Sequence, residues 1–246
     1  TQSRSSAASD VYKRQVQVVV QGDFIGVVAD REEQAIAAMR ALKVRWHPVP
    51  PAPDLSDLAQ AIRANPARAR VLIDDPGLDD ACAGAAHRLE RHYVWPYQMH
   101  ASIGPSCAVA DCRDGRLTVW AGTQNPHMLR TDLDRLVKLG EGNIDIVRLE
   151  AAGCYGRNCA DDVCADAALL AIATGTPVRV QLTREQEHQW EPKGTGQLMD
   201  VAAAIDADGN LLAYDFGVRY PSNDAPLLAL LLTGGVSGEP RTLEMG

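Results

Sequence analysis

The six residues Gly153-Cys154-Tyr155-Gly156-Arg157-Asn158 stand where an apolar strand pattern, Ile144 to Leu149, gives way to a helical one, Asp161 to Thr174. A strand-to-helix turn suits anion chemistry. The first backbone N–H groups of a helix lack intrahelical partners, and the positive end of its dipole faces back toward the turn. Glycine lets the backbone come close to a phosphate placed there. The stretch lacks G-x-G-x-x-G, and G-x-x-x-x-G-K-[ST] occurs nowhere in the chain, so neither nucleotide fingerprint is met. Taken alone, the two glycines would serve equally well as a tight turn.

A second polar turn strengthens the chemical reading. Gly122-Thr123-Gln124-Asn125-Pro126 follows the strand pattern that ends at Trp120 and Ala121, and precedes a helical face of Leu129, Leu133, Leu136 and Val137. Asn125 suits the N-cap, Pro126 the first helical position, Lys138 the last turn, and Gly140 follows. With the strand Val178 to Leu182 the order becomes β-α-β-α-β, an arrangement that is right-handed and usually parallel. Both turns then lie at the carboxyl ends of their strands, where open α/β sheets bind ligands. The sequence predicts an α+β fold, a mixed sheet with this β-α-β-α-β segment.

Other reactive residues give weaker signals. Cys154-x4-Cys159-x4-Cys164 meets neither the paired spacing of zinc sites nor the x4-x2 spacing of plant-type iron–sulfur clusters, so these thiols are expected to be small buried residues. His100 sits beside the turn Met99-His-Ala-Ser-Ile-Gly-Pro105, where a histidine is more often structural than catalytic. Asp23 reads as a turn residue, and Glu185 and Glu187 read as solvated. Gly235-Val-Ser-Gly-Glu239 lacks the last glycine of a nucleophile elbow.

Upstream, strands Val16 to Val20 and Phe24 to Ala29 flank Gln21-Gly-Asp23; a helix Arg31 to Leu42 and a third strand, Lys43 to Trp46, follow. His47-Pro-Val-Pro-Pro-Ala-Pro53 is an extended break. Residues 54–91 read as a surface excursion with one helix, Leu55 to Ala64, before strand character returns at Arg91 to Tyr97. Cys107 to Cys112 and Leu117 to Ala121 form a predicted hairpin around Asp114-Gly115. A helix Thr183 to Trp190 precedes a second hairpin, Leu198 to Ile205 and Leu211 to Tyr220, joined by Asp206-Ala-Asp-Gly-Asn210.

The 246 residues are 46% hydrophobic and 23% charged, the composition of a folded domain or two. A formal charge of −8 with no basic run excludes a nucleic-acid footprint. The apolar run Ala225 to Leu232 is too short to span a bilayer, so no transmembrane segment is expected. Residues 1–15 carry neither an apolar core nor periodicity and resemble translated adapter sequence, so a non-native or disordered leader is expected there.

At Thr123-Gln124-Asn125-Pro126-His127, Gly153-Cys-Tyr-Gly-Arg-Asn158 and His100-Ala-Ser-Ile-Gly-Pro105, from about Val16 to about Pro226, the chain resembles the molybdopterin-binding subunit of the xanthine dehydrogenase/aldehyde oxidase family, nearest its nicotinate dehydrogenase branch. The resemblance implies the end of a hammerhead-like domain at 16–46, with Gly22-Asp-Phe-Ile-Gly-Val-Val-Ala29, and a linker with a surface excursion at 47–90. The first part of a cofactor domain would then occupy 91–226 and an irregular tail 227–246. It also implies a molybdenum–molybdopterin cofactor, its dinucleotide form included, met by Gln124, Gly153, Cys154, Tyr155, Gly156 and Arg157, with no side-chain metal ligands.

In this family glutamine approaches the apical oxygen of molybdenum. Tyr155-Gly156 stands where most members carry Phe-Gly, and Cys154 replaces the second glycine of a pair. The implied activity is hydroxylation of an N-heteroaromatic or aldehyde substrate, with electrons leaving through an iron–sulfur partner subunit. The implied glutamate base lies farther along the full subunit; Glu239 is too close to the Gly153 turn to be it, so the chain alone is expected to be inactive. A rival reading is a non-catalytic α/β interaction module with structural glycine turns and buried cysteines.

Overall fold

The computed structural model describes residues 16–48, 51, 54–221 and 227–237. The leader at 1–15, Pro226 and Glu239 lie outside the described residues. Along the chain run β1 (Val16–Gln21), β2 (Phe24–Ala29), α1 (Glu32–Ala41), α2 (Leu58–Ala64), α3 (Leu78–Ala83), β3 (His87–Trp95), β4 (Cys107–Arg113) and β5 (Arg116–Ala121). Then come α4 (Pro126–Val137), β6 (Ile144–Arg148), α5 (Ala160–Thr174), β7 (Val178–Gln181), α6 (Arg184–Trp190), β8 (Gln197–Ile205), β9 (Leu211–Arg219) and α7 (Leu228–Leu232). They form two compact units, each discontinuous in sequence; the described residues of one are 16–48, 99–192 and 227–237, and those of the other 51, 54–98 and 193–221.

The larger unit is built on α5. Nine of its residues are buried, among them Val163, Cys164, Leu169, Leu170 and a run of alanines, so the helix is apolar nearly all round. A helix of that kind belongs in a core rather than on a surface. One side faces β4, β5 and β7; α4, α7 and the β1–β2 hairpin pack around the rest. The sheet order is β6-β5-β4-β7. Ala108 and Ala110 of β4 and Leu117, Val119 and Ala121 of β5 are buried, the every-second-residue pattern of strands with one face on a core.

β5 and β6 pair in parallel, Leu117 with Ile144 and Ala121 with Arg148. β4 is antiparallel to both β5 and β7, so β7 runs in the direction of β5 and β6 but at the opposite edge. The predicted β-α-β-α-β order therefore holds in direction, with β4 inserted. α4 begins as expected: Asn125 accepts a hydrogen bond from Met128 N, and Pro126 takes the first position. Its far end differs, for Lys138 is the cap itself, in the left-handed region at φ 56°.

The smaller unit is an antiparallel sheet, β3-β8-β9. β3 pairs along its whole length with β8, His87 opposite Ile205 and Trp95 opposite Gln197. Asp206 shapes the β8–β9 turn by accepting from Asp208 N and Asn210 N. Ile62 of α2 is buried, and Asp57 caps that helix by accepting from Gln60 N.

Several elements depart from the sequence expectation. Lys43 to Trp46 forms no strand, and Val44 and Trp46 are exposed. Four residues of strand propensity need a partner strand, and 43–46 pairs with none of the described strands. β3 begins at His87 rather than Arg91, its charged alternation hiding it. α3 and α7 were not expected: five or six residues are too few to display a 3.6-residue period, and α7 owes its place to the burial of Ala229 and Leu230.

Candidate cofactor site

The strand directions decide where loops meet. β5 and β6 end at one edge of the sheet, and antiparallel β4 begins there, with Ala108 opposite Ala121. β7 ends there too, and Leu182 N donates to Ser106 O at 3.1 Å. Four loops thus share the edge: 99–106, 122–125, 149–159 and 182–183. The first three of them border a cavity of about 340 Å³ whose lining includes Gly104, Ser106, Gly122, Gly153, Asn158 and Ala160. That volume is within the range of small-molecule sites, roughly 300–1,000 Å³.

Both glycine turns therefore reach one cavity, through Gly122 and Gly153. Gly122 is required by a close approach, since a Cβ there would stand 2.3 Å from the Ala151 Cβ. Gln124, Cys154, Tyr155, Gly156 and Arg157 lie in the same turns but not in the cavity wall. Gln124, Tyr155, Gly156 and Arg157 are exposed and Cys154 is half-buried. Tyr155 holds a left-handed backbone at φ 48°, a conformation uncommon for non-glycine residues.

The start of α5 corrects the argument from unsatisfied donors. Ala160 N donates to Asn158 Oδ1 at 3.0 Å, and Cys159 N to Glu187 Oε1 at 3.4 Å. Asp161 and Asp162 in the first turn already set negative charge against the helix dipole. This helix end is thus complemented by the protein's own oxygens. Thr123, almost fully buried, ties the first turn to it: Oγ1 donates to Asp161 Oδ1 at 2.6 Å and accepts from Asn125 N at 3.1 Å. Arg148 Nε donates to Thr123 O at 3.1 Å, and Arg157 makes a long pair of 3.5 Å with Asp161.

Further along α5, burial raises the Asp162 carboxyl pKa, although Leu228 N donates to it at 2.9 Å. Burial, then the charge of Asp162, pushes Asp166 up to about 7. Burial likewise raises the Cys164 thiol well above its ordinary range, and its Sγ donates to Ala160 O, as expected of a packed thiol. Among the described residues no three His, Cys, Asp or Glu side chains stand together as a metal site.

The sequence reading missed the two residues that organise this edge. Glu187, expected in solvent, is fully buried, and Glu191 nearly so. Glu187 accepts from Ser106 N at 2.8 Å and Ser106 Oγ at 2.9 Å, besides Cys159 N. Glu191 accepts from His100 N and, at 3.3 Å, Ala101 N. A signal was present: the two are four residues apart, one within and one capping the end of a helix that Thr183 and Gln186 start with a reciprocal capping box.

The fold matches part of solved molybdenum hydroxylases. An aldehyde oxidoreductase from Desulfovibrio gigas superposes with a TM-score of 0.61 at 24% identity, over 78% of this chain and 22% of that one. Quinoline 2-oxidoreductase from Pseudomonas putida 86 gives the same TM-score at 21% identity, over 78% and 26% of the two chains. By sequence, the chain is 62% identical to a nicotinate dehydrogenase subunit of Pseudomonas putida over 94% of its own length and 20% of that protein's. It is 27% identical to a membrane-bound aldehyde dehydrogenase of Gluconacetobacter polyoxogenes over 90% of its length and 29% of the relative's.

Residues 63–221 match the molybdopterin cofactor-binding domain family model, and the chain belongs to that family. It spans about a fifth to a third of the length of these curated relatives. The rival reading, an interaction module without cofactor, is not favoured by these matches. Among the described residues no helix is long and apolar enough to cross a membrane.

Proposed function

We propose that this chain supplies part of the cradle for a molybdenum–molybdopterin cofactor, its dinucleotide form included, within an enzyme that hydroxylates an N-heteroaromatic or aldehyde substrate. The observation that carries the reading is the 340 Å³ cavity reached by both glycine turns at the carboxyl ends of parallel β5 and β6. The residues present fit part of such a group. Gly122 and Gly153 bring backbone to the cavity, Ser106 and Asn158 add polar atoms to its wall, and Arg157 keeps most of its guanidinium donors for an anion.

When bound, the group supplies a redox-active Lewis acid; the chain's part is to bind and orient it. Gln124 and Arg157 offer side-chain donors, Gly153, Cys154 and Gly156 offer backbone, and Tyr155 an exposed ring. No catalytic base is assigned to this chain. In this reading residues 16–46 close a hammerhead-like domain and 91–226 form the first part of the cofactor domain. The 62% identity to a protein named as a subunit supports a multisubunit enzyme, with an iron–sulfur chain receiving the electrons.

The test is metal and pterin analysis of the holoenzyme carrying this chain. Stoichiometric molybdenum is expected. Gln124→Ala should lower hydroxylation by about 10- to 100-fold, the usual effect of removing a group that orients a metal centre. Absence of molybdenum, or unchanged hydroxylation in Q124A, would refute the assignment.

A further inference from the structure

The backbone of the loop 99–106 has little regular structure to hold it, yet it forms a wall of the cavity. Its amides at His100, Ala101 and Ser106 point inward and need acceptors. A buried N–H without one costs about 1–3 kcal/mol. Glu187 of α6 and Glu191, the C-cap of that helix, supply those acceptors.

A carboxylate suits the task because it accepts through both oxygens and carries no competing donor. Three donors converge on Glu187, Ser106 N, Ser106 Oγ and Cys159 N, while Ser102 Oγ, 3.5 Å away, donates to Gly104 O at 2.9 Å. Arg184, on the same helix, donates to Ser102 O and Ile103 O, so α6 grips the loop by its carbonyls as well. The loop in turn holds the glycine turn. Ile103 N donates to Ala152 O at 3.2 Å, and His100 Nδ1 lies 3.2 Å from Tyr155 O, a contact that needs the proton on Nδ1.

We infer that Glu187 and Glu191 are positioning residues for the cofactor site: from α6 and its C-cap they fix the 99–106 loop, Glu187 also the start of α5, and through both the turn at 152–156. The inference rests on the proposed cofactor reading. Burial of two carboxylates is weak support for stability as such, because desolvation opposes the gain. Here the amides that Glu187 holds are in, or beside, the cavity wall, for Ser106 lines it and Cys159 stands between Asn158 and Ala160, which also line it; Glu191 holds His100 and Ala101, at the start of the loop whose far end forms the wall.

The experiment uses the holoenzyme carrying this chain and measures the rate at which molybdenum and pterin are lost on dilution, alongside thermal unfolding. E187Q keeps the volume but turns an NH₂ toward donors, and release should be about 10- to 100-fold faster, as for other groups that orient a metal site from behind. E187D, which keeps the carboxylate, should recover part of the retention. E185Q, on the exposed side of the helix, should behave as wild type. Release at the wild-type rate from folded E187Q, whatever its thermal stability, would overturn the inference while leaving the cofactor reading intact. A wild-type enzyme without molybdenum would overturn both and is read before any variant. Should E187Q not fold, S106A removes only the hydroxyl donor; severalfold faster release supports the inference, and an unchanged rate overturns it.

Discussion

Gly156 offers the sharpest test of how the loop 99–106 and the glycine turn are joined. Its φ is +137°, and a Cβ there would lie 1.9 Å from His100 Nδ1 and 2.3 Å from Cε1. G156A therefore carries two separable costs. The backbone must hold an L-residue in a sparsely populated region, at about 1–3 kcal/mol. The imidazole must also swing away, giving up its 3.2 Å contact with Tyr155 O, worth about 0.5–1.5 kcal/mol. Together the loss is about 2–4 kcal/mol of unfolding free energy, measured by urea titration with an unchanged m-value. His100→Ala removes the ring. In that background G156A retains only the backbone cost, so the double-mutant cycle should show a coupling of about 1 kcal/mol or more. Additivity of the two substitutions within about 0.5 kcal/mol would refute the contact as the reason for glycine.

Two further outcomes follow from the start and middle of α5. Thr123→Val keeps the shape but leaves Asp161 Oδ1 and Asn125 N without the hydroxyl they share, and should cost about 1–3 kcal/mol in chemical denaturation. Asp166, raised from 3.8 to about 7 in the fold, contributes stability that is fully present below pH 3.8 and lost as pH rises through about 7. The unfolded chain releases this proton first, so ionisation favours unfolding over that window. D166N removes the titration: relative to wild type it should gain about 1.4 kcal/mol between pH 6 and pH 8, one pH unit's worth. A variant-to-wild-type difference that is flat with pH would refute the shift.

The parts of the fold that were legible carry their own local instructions. α4 announces its start with Asn125 and Pro126, and the β8–β9 hairpin announces its turn with Asp206-Ala-Asp-Gly-Asn210. α5 is long enough for its apolar character to show. Lys43 to Trp46 has strand propensity but pairs with none of the described strands, and α7 is too short for a period to show, so tertiary context decided both. The site divides in the same way. The two turns were legible as positions, whereas the occupation of their donors was not, because Ser106 and Cys159 find Glu187 at sequence separations of 81 and 28. Glu187 looks solvated in a helix with no apolar stripe; it is the acceptors needed by a distant loop that bury it.

The inserted strand β4 explains why this edge makes a cavity where two parallel strands would make a shallow crevice. In an all-parallel sheet only the connections leaving strands meet at the carboxyl edge. Because β4 runs the other way between β5 and β7, the loop that enters it, 99–106, comes to that edge as well and closes the side that the turns at 122–125 and 149–159 leave open. An entering loop has no helix of its own to hold it, so it draws its acceptors from α6, the helix that follows the neighbouring strand β7. The same arrangement removes the need for a free helix terminus: with Asn158, Asp161 and Glu187 already set against the start of α5, an anion in the cavity must be met by backbone at Gly122 and Gly153 rather than by the helix dipole.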